Sequence, residues 1–345
     1  MFEQICEDLA GAALAGDQQT FGPLLPAVQE QAAGLPADRL TAGARAMARA
    51  VAEAPPHLGG WVAVLTGALV ENGSDAGAAG PAVVDRLVEV AAAALAFGDA
   101  WEKATGGAPP DPMEHQPSRE AWETVSPALG DGAGVAMESW WALPQFAMAA
   151  STTLARGQAV RASVAERDLK ISVVEQAARH CGQLEYVRDL LKVLDGERLL
   201  VLDRATGRGW TVVIGGIGDN FQLHTLLAHA LIRPGGIPGQ APDPRWVASS
   251  TDQDVEPGTP AVAGAWNLVD AHGAWIWNEG VPADIPAVGG TRIVVLDPPA
   301  YERTWSPGRR FPLMPGSLTV EGVHEPGELR DWWQHVKPAV PPASG

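Results

Sequence analysis

A chain of 345 residues has room for two or three domains, and with 46% hydrophobic and 19% charged residues it has the composition of a folded protein. Its 41 acidic residues against 24 basic ones give a formal charge of −17, which argues against nucleic acid and anionic membrane as partners because both require basic surface. Two cysteines, Cys6 and Cys181, exclude a disulfide framework and any zinc site made of thiolates alone within one chain.

From Met1 to Asp17 there are acidic residues (Glu3, Glu7, Asp8) but no Lys or Arg, so no standard secretory leader is predicted. The longest apolar runs, 61–70 and 90–97, are about half of the ~20 residues that span a bilayer. A soluble protein of a reducing cytoplasm is therefore expected. Arg outnumbers Lys 20 to 4 in a chain rich in Ala, Gly and Pro, a composition common in GC-rich bacterial genomes.

Residues 1–106 read as helices punctuated by Pro and Gly, with apolar positions at helical spacing in Phe2, Ile5, Cys6 and Leu9, then in Leu40, Ala44, Met47 and Val51. The clearest long helix spans 81–103, with Val84, Leu87, Val88, Ala91 and Leu95 as its core stripe. Between Glu102 and Arg119 the density of Pro and Gly blocks regular structure and predicts a linker, with a domain boundary near residue 115. Helical patterning resumes over 121–195. There Pro144 is expected to kink or end a helix carrying Trp140, Trp141, Phe146 and Met148. A second stripe, from Val173 to Leu191, places Cys181 on a packed face, with Gly182 as an interruption.

At Glu197 the spacing turns strand-like. Strands are predicted around 199–201 and 210–214, joined by a turn at Gly207 and Gly209, and again at 265–269, 274–278, 292–296 and 318–322. Helices are predicted at 220–232 and 328–336. Two segments rich in Pro and Gly, 233–264 and 298–316, are candidate lids. The predicted class is α+β: an N-terminal all-α helical bundle (1–115), a helical segment packed on the C-terminal part (116–195), a small mainly antiparallel sheet with flanking helices (196–337), and a tail (338–345).

The densest polar stretch runs from Gly215 through Gly218, Asp219 and Asn220 to His224 and His229. A Gly-rich turn between strand and helix can present amides to an anion, but this one lacks a third glycine or a Lys-Ser/Thr pair, and Asp219 or Asn220 competes as the helix cap. Asn220 and His224 share one flank at i, i+4 and so suit a common ligand, whereas His229 lies about 140° from His224 and cannot share a metal with it on this helix. His224 is the candidate general acid or base, since imidazole titrates near neutrality. A structural histidine bonded to backbone is the competing use.

Strand alternation puts Trp275, Trp277 and Glu279 on one side: two indoles and a carboxylate, suited to a peptide or a flat organic ligand, with Glu279 as an amine partner or a base. A Trp-rich core with Glu279 at its solvent edge is the plainer alternative. Tyr301, Arg303, Arg309 and Arg310 sit in the second Pro/Gly-rich segment, where arginine forks would receive an anion or pair with the protein's own carboxylates. No ligand spacing for a metal and no cofactor fingerprint is present, so neither is expected. Two function classes follow. The first is a cofactor-independent biosynthetic tailoring lyase, cyclase or transferase acting on a peptide or specialised metabolite by acid-base chemistry at His224 and Glu279. The second is a non-catalytic protein- or peptide-binding scaffold or adaptor, with a basic protein as the partner expected against its acidic surface.

Overall fold

The computed structural model describes residues 2–340 and divides the chain into two compact units, Met1–Leu191 and Lys192–Gly345. The first is helical: α1 (Phe2–Ala15), α2 (Gln18–Ala32), α3 (Ala37–Glu53), α4 (Pro56–Glu71), α5 (Gly80–Thr105), α6 (Arg119–Leu129), α7 (Ala133–Arg156), α8 (Gln158–Ser163), α9 (Arg167–Ala178) and α10 (Gln183–Leu191). The second contains β1 (Glu197–Asp203), β2 (Gly209–Gly215), α11 (Asn220–Leu231), α12 (Pro244–Thr251), β3 (Val262–Ala263), β4 (Asn267–Asp270), β5 (Ala287–Val288), β6 (Thr291–Asp297), β7 (Thr304–Trp305), β8 (Ser317–His324) and α13 (Arg330–Trp333). The α+β class is as expected, and among the described residues every strand lies after residue 196.

The boundary expected near residue 115 is not where the chain divides. Helices α6 to α10 belong to the same compact unit as α1 to α5, and α7 packs along both α4 and α5. Small residues permit that approach: a Cβ at Gly60 would lie 3.2 Å from the Gln145 side chain, and one at Gly67 would lie 3.4 Å from the Ala149 backbone. The irregular 106–118 stretch is held down, because Trp140 Nε1 donates to the Pro110 carbonyl and Trp141 Nε1 to the His115 carbonyl, both at 2.8 Å. Pro144 does not end α7 either. An interior proline costs about 3 kcal/mol, but Trp140, Leu143, Phe146 and Ala147 are buried on either side of it, and each large apolar side chain removed from water returns about 1.5–3 kcal/mol. Gly182 marks a true break between α9 and α10, and Cys181 is buried as expected, with its thiol pushed up to about 11 by burial.

In the second unit the sheet runs β4-β6-β1-β2-β8, with β5 paired to β6. Neighbours are antiparallel except β1 and β6, which are parallel. Side chains alternate across β1, so Leu199 and Val201 join the α11 core while Leu200 and Leu202 face Leu329, Trp332 and Trp333 on the other side. The hairpin turn falls where Gly207 supplies a left-handed φ of 75°.

Four predicted elements differ. The strand expected at 274–278 is a single bridge, Val269 to Trp275. Beyond it the chain turns to the start of α11, where Phe221 N and Asn220 N take the Asn278 and Gly280 carbonyls that a strand would have offered to a neighbour. The helix expected at 328–336 shrinks to four residues, α13. The two candidate lids are not separate flaps: they contain α12, β3 and β7, and β3 pairs with β7 through Val262–Trp305 and Ala263–Thr304. Of the expected tail, residues 341–345 lie outside the described residues.

A fragment of residues 1–191 is expected to melt cooperatively as followed by circular dichroism. A fragment of residues 1–115, stripped of the helix that covers α4 and α5, is expected to lack such a transition. A cooperative melt of the shorter fragment would restore the boundary at the Pro/Gly stretch.

Candidate functional site

The turn into α11 is closed upon itself. Gly216 adopts φ 62°, and a Cβ there would stand 1.9 Å from the Pro315 carbonyl oxygen, so only glycine fits. Gly216 N donates to Asp195 Oδ1 (3.1 Å), Gly218 N to Gln222 Oε1 (2.8 Å), and Gln222 N to Asp219 Oδ1 (2.8 Å). Asp219 is therefore the cap, its carboxyl held above the usual range by burial. These amides serve acceptors of the chain itself, and of the two uses foreseen for the stretch the cap is the one built.

His224 lies one turn further on, 1% exposed, its ring against Trp266 at 6.0 Å and Trp305 at 5.0 Å between centroids. Nε2 accepts from two consecutive amides, Ala265 N at 3.1 Å and Trp266 N at 3.3 Å. A nitrogen that accepts carries no proton, so these bonds assign the neutral tautomer with hydrogen on Nδ1. Burial, reinforced by the Arg303 charge, pushes the imidazole down to about 3, and the Asn278 side chain opposes this only in part. At neutral pH the lone pair a general base would use is committed to the backbone of residues 265–266. Asn220, also buried, donates through Nδ2 to the Trp277 carbonyl at 2.9 Å. Asn220 Oδ1 is buried with no hydrogen-bond partner, while the Asn278 side chain lies close enough to His224 to favour its proton although no hydrogen bond joins Asn278 Oδ1 to His224 Nδ1.

Four predicted residues do come together. Trp275 and Trp277 stand 5.7 Å apart between centroids and Trp275 and Tyr301 6.2 Å, with the Arg303 guanidinium 5.9 Å from both the Trp275 and the Tyr301 rings. Trp277 and Tyr301 are 53% and 52% exposed. The two indoles adjoin although the strand expected to align them is absent. Arg303 Nη2 donates to the Trp266 carbonyl (2.9 Å) and to Asn267 Oδ1 (3.4 Å), so the segment that His224 holds by its amides is held by Arg303 at its carbonyl. Glu279 is exposed, and its charge adds to the upward shift of Asp219.

Arg309 and Arg310 make their contacts elsewhere. Arg309 spends its guanidinium on the carbonyls of Ser249, Gln253 and Pro312, and burial lowers its pKa. Arg310 lies over Phe311 at 5.7 Å, where its charge favours the Asp219 carboxylate.

Sequence reasoning missed a cleft of about 930 Å³. Ile232, Ile237, Pro242, Trp246 and Pro260 line it, and Trp266 belongs to its wall; no histidine does. Trp246 and Trp266 flank a Pro-dense stretch, and that was the available signal. Trp246 Nε1 binds the Pro260 carbonyl across it at 2.8 Å. Among the described residues no three His, Cys, Asp or Glu side chains gather as metal ligands, and no helix is long and apolar enough to cross a membrane. Comparison with protein families, curated proteins and solved structures gives no match for this chain.

The His224 shift has a sign that can be measured. Its unfolded pKa is about 6.5 and its folded value about 3, so the unfolded state binds the extra proton, and the stability it contributes is full above pH 6.5 and lost as pH falls towards 3. The slope is about 1.4 kcal/mol per pH unit once below 6.5. Urea unfolding between pH 7 and pH 5 is expected to show this loss. His224→Gln, which keeps an acceptor but does not titrate, is expected to flatten it; an unchanged slope would show that His224 is not the group responsible.

Proposed function

We propose that the C-terminal unit is a non-catalytic binding module that holds a ligand against the surface formed by Trp275, Trp277, Tyr301 and Arg303. The observation that carries this is the cluster itself: three rings in succession, two of them half-exposed, beside a guanidinium fixed by the 266–267 backbone and side chain. Large, rigid aromatic area with a polar anchor is the usual composition of a binding hot spot. The state of His224 supports the same reading, since a desolvated neutral ring already bonded to two amides is a poor proton shuttle at neutral pH. The neighbouring cleft, with Trp246 and Trp266 in its walls, adds apolar area in the size range of ligand pockets.

The catalytic alternative leans on Glu279, the one candidate acid-base group that is exposed. Screening the full chain by NMR against short peptides and small aromatic compounds separates the two. Under the binding reading, ligands perturb the indole Nε1–H signals of Trp275 and Trp277. Trp277→Ala or Tyr301→Ala is then expected to weaken binding by about 30-fold, the scale of a lost aromatic anchor, with little change in melting temperature because both residues are half-exposed. Chemical conversion of a bound compound that is lost in Glu279→Gln would overturn the reading.

A further inference from the structure

We infer that this aromatic surface recognises a carboxylate joined to an aromatic side chain, as at the carboxyl terminus of a peptide chain. The inference rests on the binding reading above and adds the chemistry of the ligand.

The chain carries 41 acidic residues, and its surface arginines are commonly paired with them: Arg49 with Glu53, Arg119 with Glu123, Arg179 with Asp99, Arg198 with Glu321. Arg303 is not. Its Nη2 is spent on the Trp266 carbonyl and Asn267 Oδ1, while Nε and Nη1 have no acceptor among the described residues. One side of the guanidinium is thus anchored and the other keeps N–H donors for an incoming group. Donors on a fixed cation favour an anionic acceptor, because a charge-assisted hydrogen bond is roughly twice as strong as a neutral one. Anchoring also reduces the rotamer entropy that an arginine loses when it grips a ligand.

The rings define what must accompany the anion. Trp275 and Tyr301 both lie 5.9 Å from the guanidinium, so a carboxylate seated on Arg303 has an aromatic face beside it, within the span of a single amino-acid residue. Trp277 extends the row by a further 5.7 Å. A row of three rings is longer than one aromatic ring can cover, which favours a chain of residues over a small aromatic acid. The terminal carboxylate, with its own side chain stacked near Trp275 and the preceding residue reaching Trp277, satisfies both demands. Recognition of chain ends by fixed donors is an established mode of peptide binding.

The same surface offers a competing chemistry, since Glu279 and Glu302 are exposed nearby in sequence and an indole face also attracts cations. Arg303 decides against an amine here, because its positive charge sits against two of the three rings.

Calorimetric titration of the full chain tests this with three peptides: Ala-Ala-Phe with a free carboxyl terminus, the same peptide as its amide, and an amide-capped Ala-Phe-Asp, which carries its carboxylate on a side chain. The free acid is expected to bind at least about ten-fold more tightly than its amide, the scale of one charge-assisted hydrogen bond. In Arg303→Gln that difference is expected to fall below about two-fold. Equal affinity of acid and amide would overturn the inference and leave the binding reading standing; no binding by any of the three would overturn the inference too, and the binding reading falls only if the wider screen of peptides and small aromatic compounds also leaves the Trp275 and Trp277 indole signals unshifted. Tighter binding of the capped Ala-Phe-Asp than of the free acid would overturn the assignment to a chain end. Because Arg303→Gln also loses a contact to the 266–267 segment, the acid-to-amide comparison in the unaltered protein stands as the primary measurement.

Discussion

The C-terminal unit depends on a single uncharged ring. His224 accepts the amides of Ala265 and Trp266 at one nitrogen and is walled by Trp266 and Trp305, so it can persist only as the neutral tautomer. That one bond pair fixes the segment leading into β4. The segment in turn supplies the carbonyl on which Arg303 rests and one wall of the cleft. Protonating the ring would convert an acceptor into a donor facing two donors, with Arg303 close enough to add repulsion. The helix therefore contributes its imidazole as a fixed lone pair rather than as a titrating group, and the polar work of the surface passes to groups around it.

Tryptophan is used in contrasting ways in the two units. In the helical unit, Trp140 and Trp141 are buried and act through their Nε1 donors, each satisfying a carbonyl of the irregular 106–118 stretch. In the second unit, Trp246 and Trp333 do the same for Pro260 and Gly207, while Trp275 and Trp277 present ring area instead. An indole whose N–H is committed to a backbone carbonyl is part of the fold, because the bond ties an irregular stretch of chain to a packed side chain. An indole with half its surface in water contributes little to stability and is free to contribute to recognition.

Much of the fold was legible because it follows from periodicity: the long α5, the hairpin of β1 and β2, the core of β6, and the change from helical to strand-like spacing at Glu197. What could not be read was long-range. Pro and Gly between 106 and 118 predict a linker from local conformational cost alone, and the two indole hydrogen bonds that make it part of one unit come from 26 and 30 residues further along the chain. The strand expected at 274–278 fails for a similar reason, since the carbonyls of Asn278 and Gly280 are claimed by α11. At the site, the grouping of Trp275 with Trp277 followed from local spacing and that of Tyr301 with Arg303 from proximity in one loop. Their meeting, and the separation of Arg303 from Arg309, depended on the pairing of β3 with β7, two-residue strands too short to leave a pattern.

The stapled stretch between α5 and α6 also bears on how such a chain is handled. A run of Pro and Gly invites cleavage by a protease, insertion of a tag, or trimming of a domain, on the assumption that nothing is bound there. Here the backbone at Pro110 and His115 serves as the acceptor for two core side chains, so an insertion at either point would pull on α7 from the outside. Solvent-exposed sequence of low regularity can thus be structurally committed, and its tolerance to editing is set by what reaches out to hold it.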